Sequence, residues 1–296
     1  MILVWGSLQD PPVALVVDEL AKLGAPVILA EPHEFLHVEL QTHKGVAGFL
    51  STPRASVDLD RITAAYLRPN GSVAGPDQRG REMTDRNLLL WAELTSAFII
   101  NHPSSMAGNN TKPLQAMQLH RIGFAVPATL VTTDPDRVRQ FWRQHGQVVY
   151  KSISGTRSIV RRLTPADEDR LADVRWCPTQ FQQYVPGVEY RVHVVGSELF
   201  TCRIECAADD YRYATDHQRP TLSEASLPDS INERSRLASR HLGLPLVGLD
   251  LRRTPDGDWY CLEANPSPAF SYYEGHIGQP IAAAIARLLT HGDISR

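Results

Sequence analysis

Asp250, Glu263 and Asn265 are the residues whose types and spacing speak most directly of chemistry. They flank Thr254-Pro255-Asp256-Gly257-Asp258, a run of strong turn formers with apolar residues on both sides, so two antiparallel strands are expected. Residues two apart on a strand leave the same face, which groups Glu263 with Asn265. Asp250 joins them by parity: a two-residue loop at Asp256-Gly257 sets position 250 opposite 263, and a four-residue turn at 254–257 sets it opposite 261. A three-residue loop breaks that parity unless a bulge restores it. Two carboxylates and an amide are oxygen donors that Mg²⁺ accepts when nucleotide phosphates share its shell. An exposed hairpin whose polar face meets only water has the same pattern, and these three residues alone do not separate the two readings.

The lysines are the second signal. Of 30 basic residues only Lys22, Lys44, Lys112 and Lys151 are lysine, leaving 26 arginines. Lysine is a compact point charge where arginine is a planar fork, so a chain this sparing of lysine keeps it where a point charge is wanted. Lys22 and Lys44 read as ordinary surface residues. Lys151 ends the strand-like run Val148–Lys151, and a small-residue loop from Ser152 to Ser158, with Gly155 at its middle, follows it. The N–H groups of such a loop can cover phosphates. The G-x-x-x-x-G-K-[ST] pattern is absent, and taken by itself an ordinary hairpin tip is the simpler reading of the loop.

These residues need a scaffold, and the composition bounds it. The hydrophobic share of 43% is that of a globular protein, and a net charge of −3 does not suggest a nucleic-acid partner. Cys177, Cys202, Cys206 and Cys261 show no C-x-x-C spacing and read as thiols of a reducing cytoplasm. No basic n-region precedes the short apolar N-terminus and no stretch has the length of a membrane span, so a cytoplasmic protein without a membrane partner is expected. At 296 residues, two or three domains are expected.

Along the chain, a strand at 2–6, a helix from Pro12 to Leu23 stopped by Gly24, and a strand at 27–30 announce a parallel sheet. Further strands are expected at 45–50, 64–67 and 98–101, with a helix at 82–97 between the last two. Arg68 then stands at a strand's C-terminal edge, where such sheets often bind ligands, although a plain surface arginine reads as well. Ser104 to Thr111 reads as a linker. Helices at 113–122 and 135–145, the second capped by Thr133 or Asp134, alternate with strands at 128–132 and 148–151. A strand at 159–163 and a short helix at 165–172 follow. The strand 179–185 runs into Pro186-Gly187, read as an interdomain hinge, and emerges as a strand at 190–195. Strand 199–206 carries Arg203, 207–228 is polar and turn-rich, a helix spans 230–242, 266–274 is a loop and a last helix covers 279–290.

The ordered set of Lys112, Lys151 with its loop, Gln182-Gln183-Tyr184-Val185, Glu189 and Arg191, then Asp250 ahead of Glu263-Ala264-Asn265-Pro266, resembles the ATP-grasp superfamily and within it the RimK-type ligases. The resemblance covers about 104–292. The N-terminal part, with Tyr66-Leu67-Arg68-Pro69 and Asn101-His102-Pro103, is similar to the ligases that cyclise microviridin-type peptides, the graspetides. The implied fold is α/β (α+β): an N-terminal parallel domain at 1–104, a central ATP-grasp subdomain at 105–185 and a C-terminal one, with the metal site, at 186–296. The resemblance implies ATP and Mg²⁺ as cofactors, with Mn²⁺ as a substitute, and small-molecule or peptide carboxylate and amine substrates; a homodimer is compatible with it. It implies that Lys112, Lys151, Ser154 and Gly155 bind the phosphates, that the backbone of Gln183, Tyr184 and Val185 holds adenine, and that Glu189 binds the ribose. Arg212 would lie beside the phosphates, and Asp250, Glu263 and Asn265 would hold the metal. Arg191 and Arg203 become candidates for the substrate carboxylate or the phosphoryl group in flight, with a sheet-face ion pair as the alternative for either. Tyr272, Tyr273 and Glu274 are candidates for substrate contact, and His193 reads as structural or solvated.

The implied reaction makes a carboxylate into an acyl phosphate at the expense of ATP and lets an amine or hydroxyl attack it, for which two lysines, arginines and Mg²⁺ supply the positive charge. Closure of the loop around Gly155 would keep water from the acyl phosphate. Gln182-Gln183 stands where several RimK-type enzymes have Gln-Glu, and the segment after Arg203 looks short beside the peptide-cyclising relatives. Three readings follow: a carboxylate–amine ligase for an amino acid, metabolite or peptide; a peptide macrocyclase forming side-chain amides or esters; and an ATP-binding regulator without catalysis.

Overall fold

The computed structural model describes residues 1–32, 34, 36–43, 45–69, 78–152, 160–206 and 220–292. Its first third is built on β1 (Ile2–Gly6), α1 (Pro11–Lys22) and β2 (Val27–Ala30), then a small antiparallel sheet of β3 (His37–Thr42), β4 (Val46–Ser51) and β5 (Ser56–Asp58), followed by β6 (Ala64–Arg68), α2 (Gln78–Leu94) and β7 (Phe98–Ile100). Strands β2-β1-β6-β7 pair in parallel in that order. Every residue of β1 is buried, as expected for a parallel strand covered on both faces. Ile2 and Val4 face α1, while Leu3 and Trp5 face Leu88 and Trp91 of α2 and the small sheet. The strands β3 and β5 were not expected from the sequence; in His37–Thr42 only Val38 is fully buried, so the alternation there is weak.

The expected linker 104–111 is helical instead: α3 (Pro103–Met106) and a 3₁₀ turn lead into α4 (Lys112–Arg121). Pro103 is at the first helical position, where its missing N–H costs nothing. Then come β8 (Thr129–Thr132), α5 (Pro135–His145), β9 (Val148–Ser152), β10 (Arg161–Arg162), a 3₁₀ segment over Pro165–Trp176 and β11 (Thr179–Gln183). Asp134 is the cap of α5, its carboxylate accepting from the Asp136 N–H at 2.9 Å. These strands form an antiparallel sheet in the order β10-β9-β11-β8. Phe181, Val148 and Leu163 pack with Val138 of α5 and with Leu171 and Val174.

The last third is a five-stranded antiparallel sheet in the order β14-β13-β12-β15-β16. It comprises β12 (Val188–Val195), β13 (Glu198–Glu205), β14 (Thr221–Glu224), α6 (Asp229–Leu242), β15 (Leu246–Arg253) and β16 (Trp259–Asn265), and then α7 (Ser271–Ile277) and α8 (Ile281–His291). One face, with Tyr190, Val192, Leu249, Leu251 and Cys261, packs on Leu119 of α4 and on Ile231 and Ala238 of α6. The expected loop 266–274 ends in α7, which begins at Ser271 and is closed by Gly278 in the left-handed region. Helix α8 turns back: Ile281, Ile285 and Leu289 join α1 and β1 in one core, so the end of the chain closes the first sheet.

Candidate active site

The site begins at the turn between β15 and β16. The Thr254 N–H bonds to the Asp258 carbonyl at 2.9 Å, which leaves a three-residue loop at 255–257. Arg253 pairs with Trp259 and Leu251 with Cys261, a register that on its own would set Leu262 opposite Asp250. The register then shifts by one, Leu262 being the extra residue, and Asp250 faces Glu263 while Gly248 faces Asn265. The bulge restores the parity that the loop breaks, and the three oxygen-bearing side chains leave one face.

Strand β16 lies at the edge of its sheet, and α4 holds that edge. Gln115 donates from Nε2 to the Ala264 carbonyl at 2.7 Å and accepts at Oε1 from the Ala264 N–H at 2.9 Å. Its amide thus acts as a one-residue strand on the backbone between Glu263 and Asn265. One helical turn earlier, buried Lys112 places Nζ 3.3 Å from Glu263 Oε1. The Asn265 Oδ1 accepts from the Ser267 N–H at 2.9 Å. Beyond it, Asn101 donates to the Pro266 carbonyl at 2.6 Å and to the Leu246 carbonyl at 2.7 Å. Arg68 is not a surface residue: it is buried, ion-paired to Asp10 at 2.5 Å, and donates to Ser267 Oγ at 2.7 Å and the Pro268 carbonyl at 3.1 Å. The ends of β6 and β7 therefore anchor the segment that follows Asn265.

Strand β12 brings a second row of charges to the same face. Arg191 is directly opposite Asp250 and forms a partly buried ion pair with it. Its Nε lies 3.4 Å from His193 Nε2, and its guanidinium lies over the Tyr273 ring at 5.9 Å. Gly248 makes room for this group, since a Cβ there would overlap the guanidinium. His193 is fully buried, and burial, helped by the Arg191 charge, holds its imidazole well below the usual range, so it is neutral. Two residues towards the hinge, Glu189 is opposite Arg252, with Nη2 to Oε2 at 2.7 Å.

Lys151 is buried on β9 opposite Gln180, on the face turned away from the Phe181 core. At the hinge the Gln183 N–H bonds to the Ala128 carbonyl and the Tyr184 N–H to the Gln147 carbonyl, both at 2.9 Å, and the Val185 carbonyl accepts from Arg252 at 3.1 Å. Those two N–H groups serve the sheet. Ser154, Gly155 and Arg212 lie outside the described residues.

Some expected residues are not brought in. Arg203 faces Tyr190, whose ring belongs to the helix-packed core, so its side chain leaves the sheet on the side opposite Arg191. It pairs with Glu205 at 2.5 Å, the sheet-face ion pair that was its alternative. Glu274 accepts from the Ala282 N–H at 2.9 Å at the start of α8, and burial raises its carboxyl above the usual range. Its carboxylate thus caps the first turn of α8. Tyr273 is buried, edge-on to His193 at 4.9 Å, and so backs Arg191; Tyr272 is the half-exposed member of the pair. Gln115 and Arg252 were not singled out from the sequence, and Asn101 was named there only as part of the Asn101-His102-Pro103 motif. Gln115 follows Lys112 by three, and Arg252 follows Asp250 by two, so helix and strand periodicity carried a signal for both.

Asp250, Glu263 and Asn265 offer hard oxygen donors, and the two carboxylates are already faced by cations, Arg191 and Lys112. No cluster of three or more His, Cys, Asp or Glu occurs among the described residues. The mixed set of Asp250, Glu263 and Asn265 fits Mg²⁺ shared with phosphates.

No family model matches the chain. It is 25% identical over 250 residues, 83% of its own length and 79% of the relative's, to a probable alpha-L-glutamate ligase of Xanthomonas euvesicatoria pv. vesicatoria strain 85-10. Its structure matches the ATP-grasp ligase PsnB complexed with minimal precursor, Mg and ADP, at a TM-score of 0.82 and 26% identity over 98% of this chain and 96% of the other. It also matches the macrocyclase MdnC bound with precursor peptide MdnA from Microcystis aeruginosa MRC, at a TM-score of 0.81 and 22% identity over 98% and 99% of the two chains. The fold is that of ATP-grasp ligases along the whole chain, and no helix among the described residues is long and apolar enough to cross a membrane.

Proposed function

We propose that this chain, an ATP-grasp ligase by fold and by kinship, activates a carboxylate of a peptide as an acyl phosphate and passes it to an amine or hydroxyl, giving an amide or ester with ADP and phosphate. The observation that carries the reading is the juxtaposition of Asp250 and Glu263 with Asn265 one step on, with Lys112 and Arg191 beside them. The kinship rules in an enzyme and leaves the non-catalytic regulator without support.

Asp250, Glu263 and Asn265 would hold Mg²⁺, which when bound neutralises phosphate oxygens and draws charge from the transferring group. Lys112 and Lys151 would bind phosphates as point charges. Arg191, fixed by Asp250, His193 and Tyr273, would meet the second anion, the carboxylate or the group in transfer. Glu189 would bind the ribose, two residues or about 7 Å along the strand from Arg191. We read 1–104, 105–185 and 186–296 as the N-terminal, central and C-terminal units, with α8 returned to the first.

A peptide substrate is favoured by the likeness to PsnB, whose complex contains its minimal precursor. The kinship to alpha-L-glutamate ligases favours a second reading, in which free glutamate is the acceptor. The test incubates the protein with ATP, Mg²⁺ and either glutamate or an acidic peptide also carrying Lys, Thr or Ser. The expected result is ADP release with loss of one water from the peptide per bond formed, and transfer of carboxylate ¹⁸O into phosphate. Phosphate free of ¹⁸O in a reaction that does form the bond would overturn the acyl-phosphate route.

A further inference from the structure

Arg252 has no role in the reaction as read so far, yet it bonds two of the groups assigned to the nucleotide and lies near the ring of Tyr184 between them. Its Nη2 donates to Glu189 Oε2 at 2.7 Å and its Nη1 to the Val185 carbonyl at 3.1 Å. Its guanidinium lies 5.8 Å from the centre of the Tyr184 ring, whose other contact of this kind is Arg162 at 4.1 Å. Both members of the Glu189–Arg252 pair are largely buried, and their strands place them directly opposite one another.

We propose that Arg252 is a positioning residue for nucleotide-sugar recognition: it fixes the Glu189 carboxylate and ties it to the Tyr184–Val185 hinge, so that sugar and base are read by one rigid unit. The inference rests on the assignment of Glu189 to the ribose. A carboxylate accepts about four hydrogen bonds, so Glu189 can serve Arg252 and a ribose diol together. An unpartnered carboxylate near a triphosphate would repel it, and Arg252 offsets that charge without adding a second cation at the phosphates. The fork geometry matters: Arg252 bonds two separate acceptors on different elements, which an ammonium cannot hold in one plane. The Arg252 Nε is buried with no hydrogen-bond partner among the described residues, as expected of a group fixed by its two outer nitrogens.

The experiment compares ADP with 2′-deoxy-ADP, each with Mg²⁺, by calorimetry on the wild type, Arg252→Met, Arg252→Lys and Glu189→Gln. The wild type is expected to favour ADP by about tenfold or more, the scale of a hydrogen bond to a charged group. Arg252→Met should reduce that preference at least threefold and raise KM for ATP more than it lowers kcat. Arg252→Lys, which keeps the charge, should recover only part of the preference. A full wild-type preference in both Arg252 variants would overturn the proposal while leaving Glu189 in place. No preference in the wild type, with ADP bound, would overturn the ribose assignment and this inference with it. No ADP binding by the folded wild type would overturn the nucleotide site as a whole.

Discussion

Asp250 and Glu263 face each other across β15 and β16 only because Leu262 is extra in the ladder. The pair is therefore set by a bulge rather than by the turn, and both carboxylates already have cations beside them, Arg191 on one and Lys112 on the other.

Glu263→Gln and Asp250→Asn are each expected to lower turnover by about a hundredfold or more, because a metal-held charge at a transferring phosphoryl group contributes several kcal/mol. Circular dichroism should show the fold retained. Asp250→Asn should also lower the melting temperature more than Glu263→Gln, since it leaves buried Arg191 without its counter-charge. Full activity in either variant would remove the metal assignment.

Lys151→Ala should weaken ATP binding by about tenfold or more through loss of a phosphate contact, read as KM and as nucleotide affinity. Unchanged affinity would place Lys151 outside the phosphate site.

Gln115→Leu removes both bonds to the Ala264 backbone and leaves a buried N–H and C=O unpaired, at a cost of about 1–3 kcal/mol for each. The expected outcome is a lower melting temperature together with a higher Mg²⁺ concentration for half-maximal activity. A stability loss with an unchanged Mg²⁺ requirement would mean that Gln115 holds the strand without aligning the ligands.

Gly248→Ala puts a methyl group into the space of the Arg191 guanidinium. Turnover should fall while nucleotide binding at the hinge, measured with ADP, changes little. Equal activity in the variant would show that Arg191 has another place to go.

Buried His193 gives the fold a pH dependence. Its folded pKa lies below its unfolded value of about 6.5, so the stability it confers is complete above that pH and is lost as the pH falls below it. The unfolded chain then takes up a proton that the folded chain refuses, at about 1.4 kcal/mol for each pH unit until the folded pKa is reached. Denaturant unfolding at a series of pH values should show this slope, and His193→Gln should flatten it.

Much of the scaffold was legible in the sequence because its cues are local: Gly24, Gly146 and Gly243 stop helices where expected, and Asp134 caps one. The metal face was legible by parity, though the choice between loop lengths was not. A bulge depends on how β16 settles against α4 and Ala125, which no window of the sequence contains. Arg203 failed for the same kind of reason. Its type suited the role, but only the register with Tyr190 shows which face it takes. Glu274 looked like a loop carboxylate because Ser271–Ile277 is too short to give a helical period, and its bond to Ala282 links two helices across a turn.

The closed edge of β16 has a consequence for how a peptide is handled. With Gln115 bonded to Ala264 and the Ala125 carbonyl taking the Cys261 N–H, a guest strand finds no free ladder beside the two carboxylates. On the proposed reading, a peptide is not gripped by its backbone at this edge and presents a side chain to the carboxylates from over the sheet. Several carboxylates of one peptide could then be processed in turn at the same place, with their order set by how far each must travel.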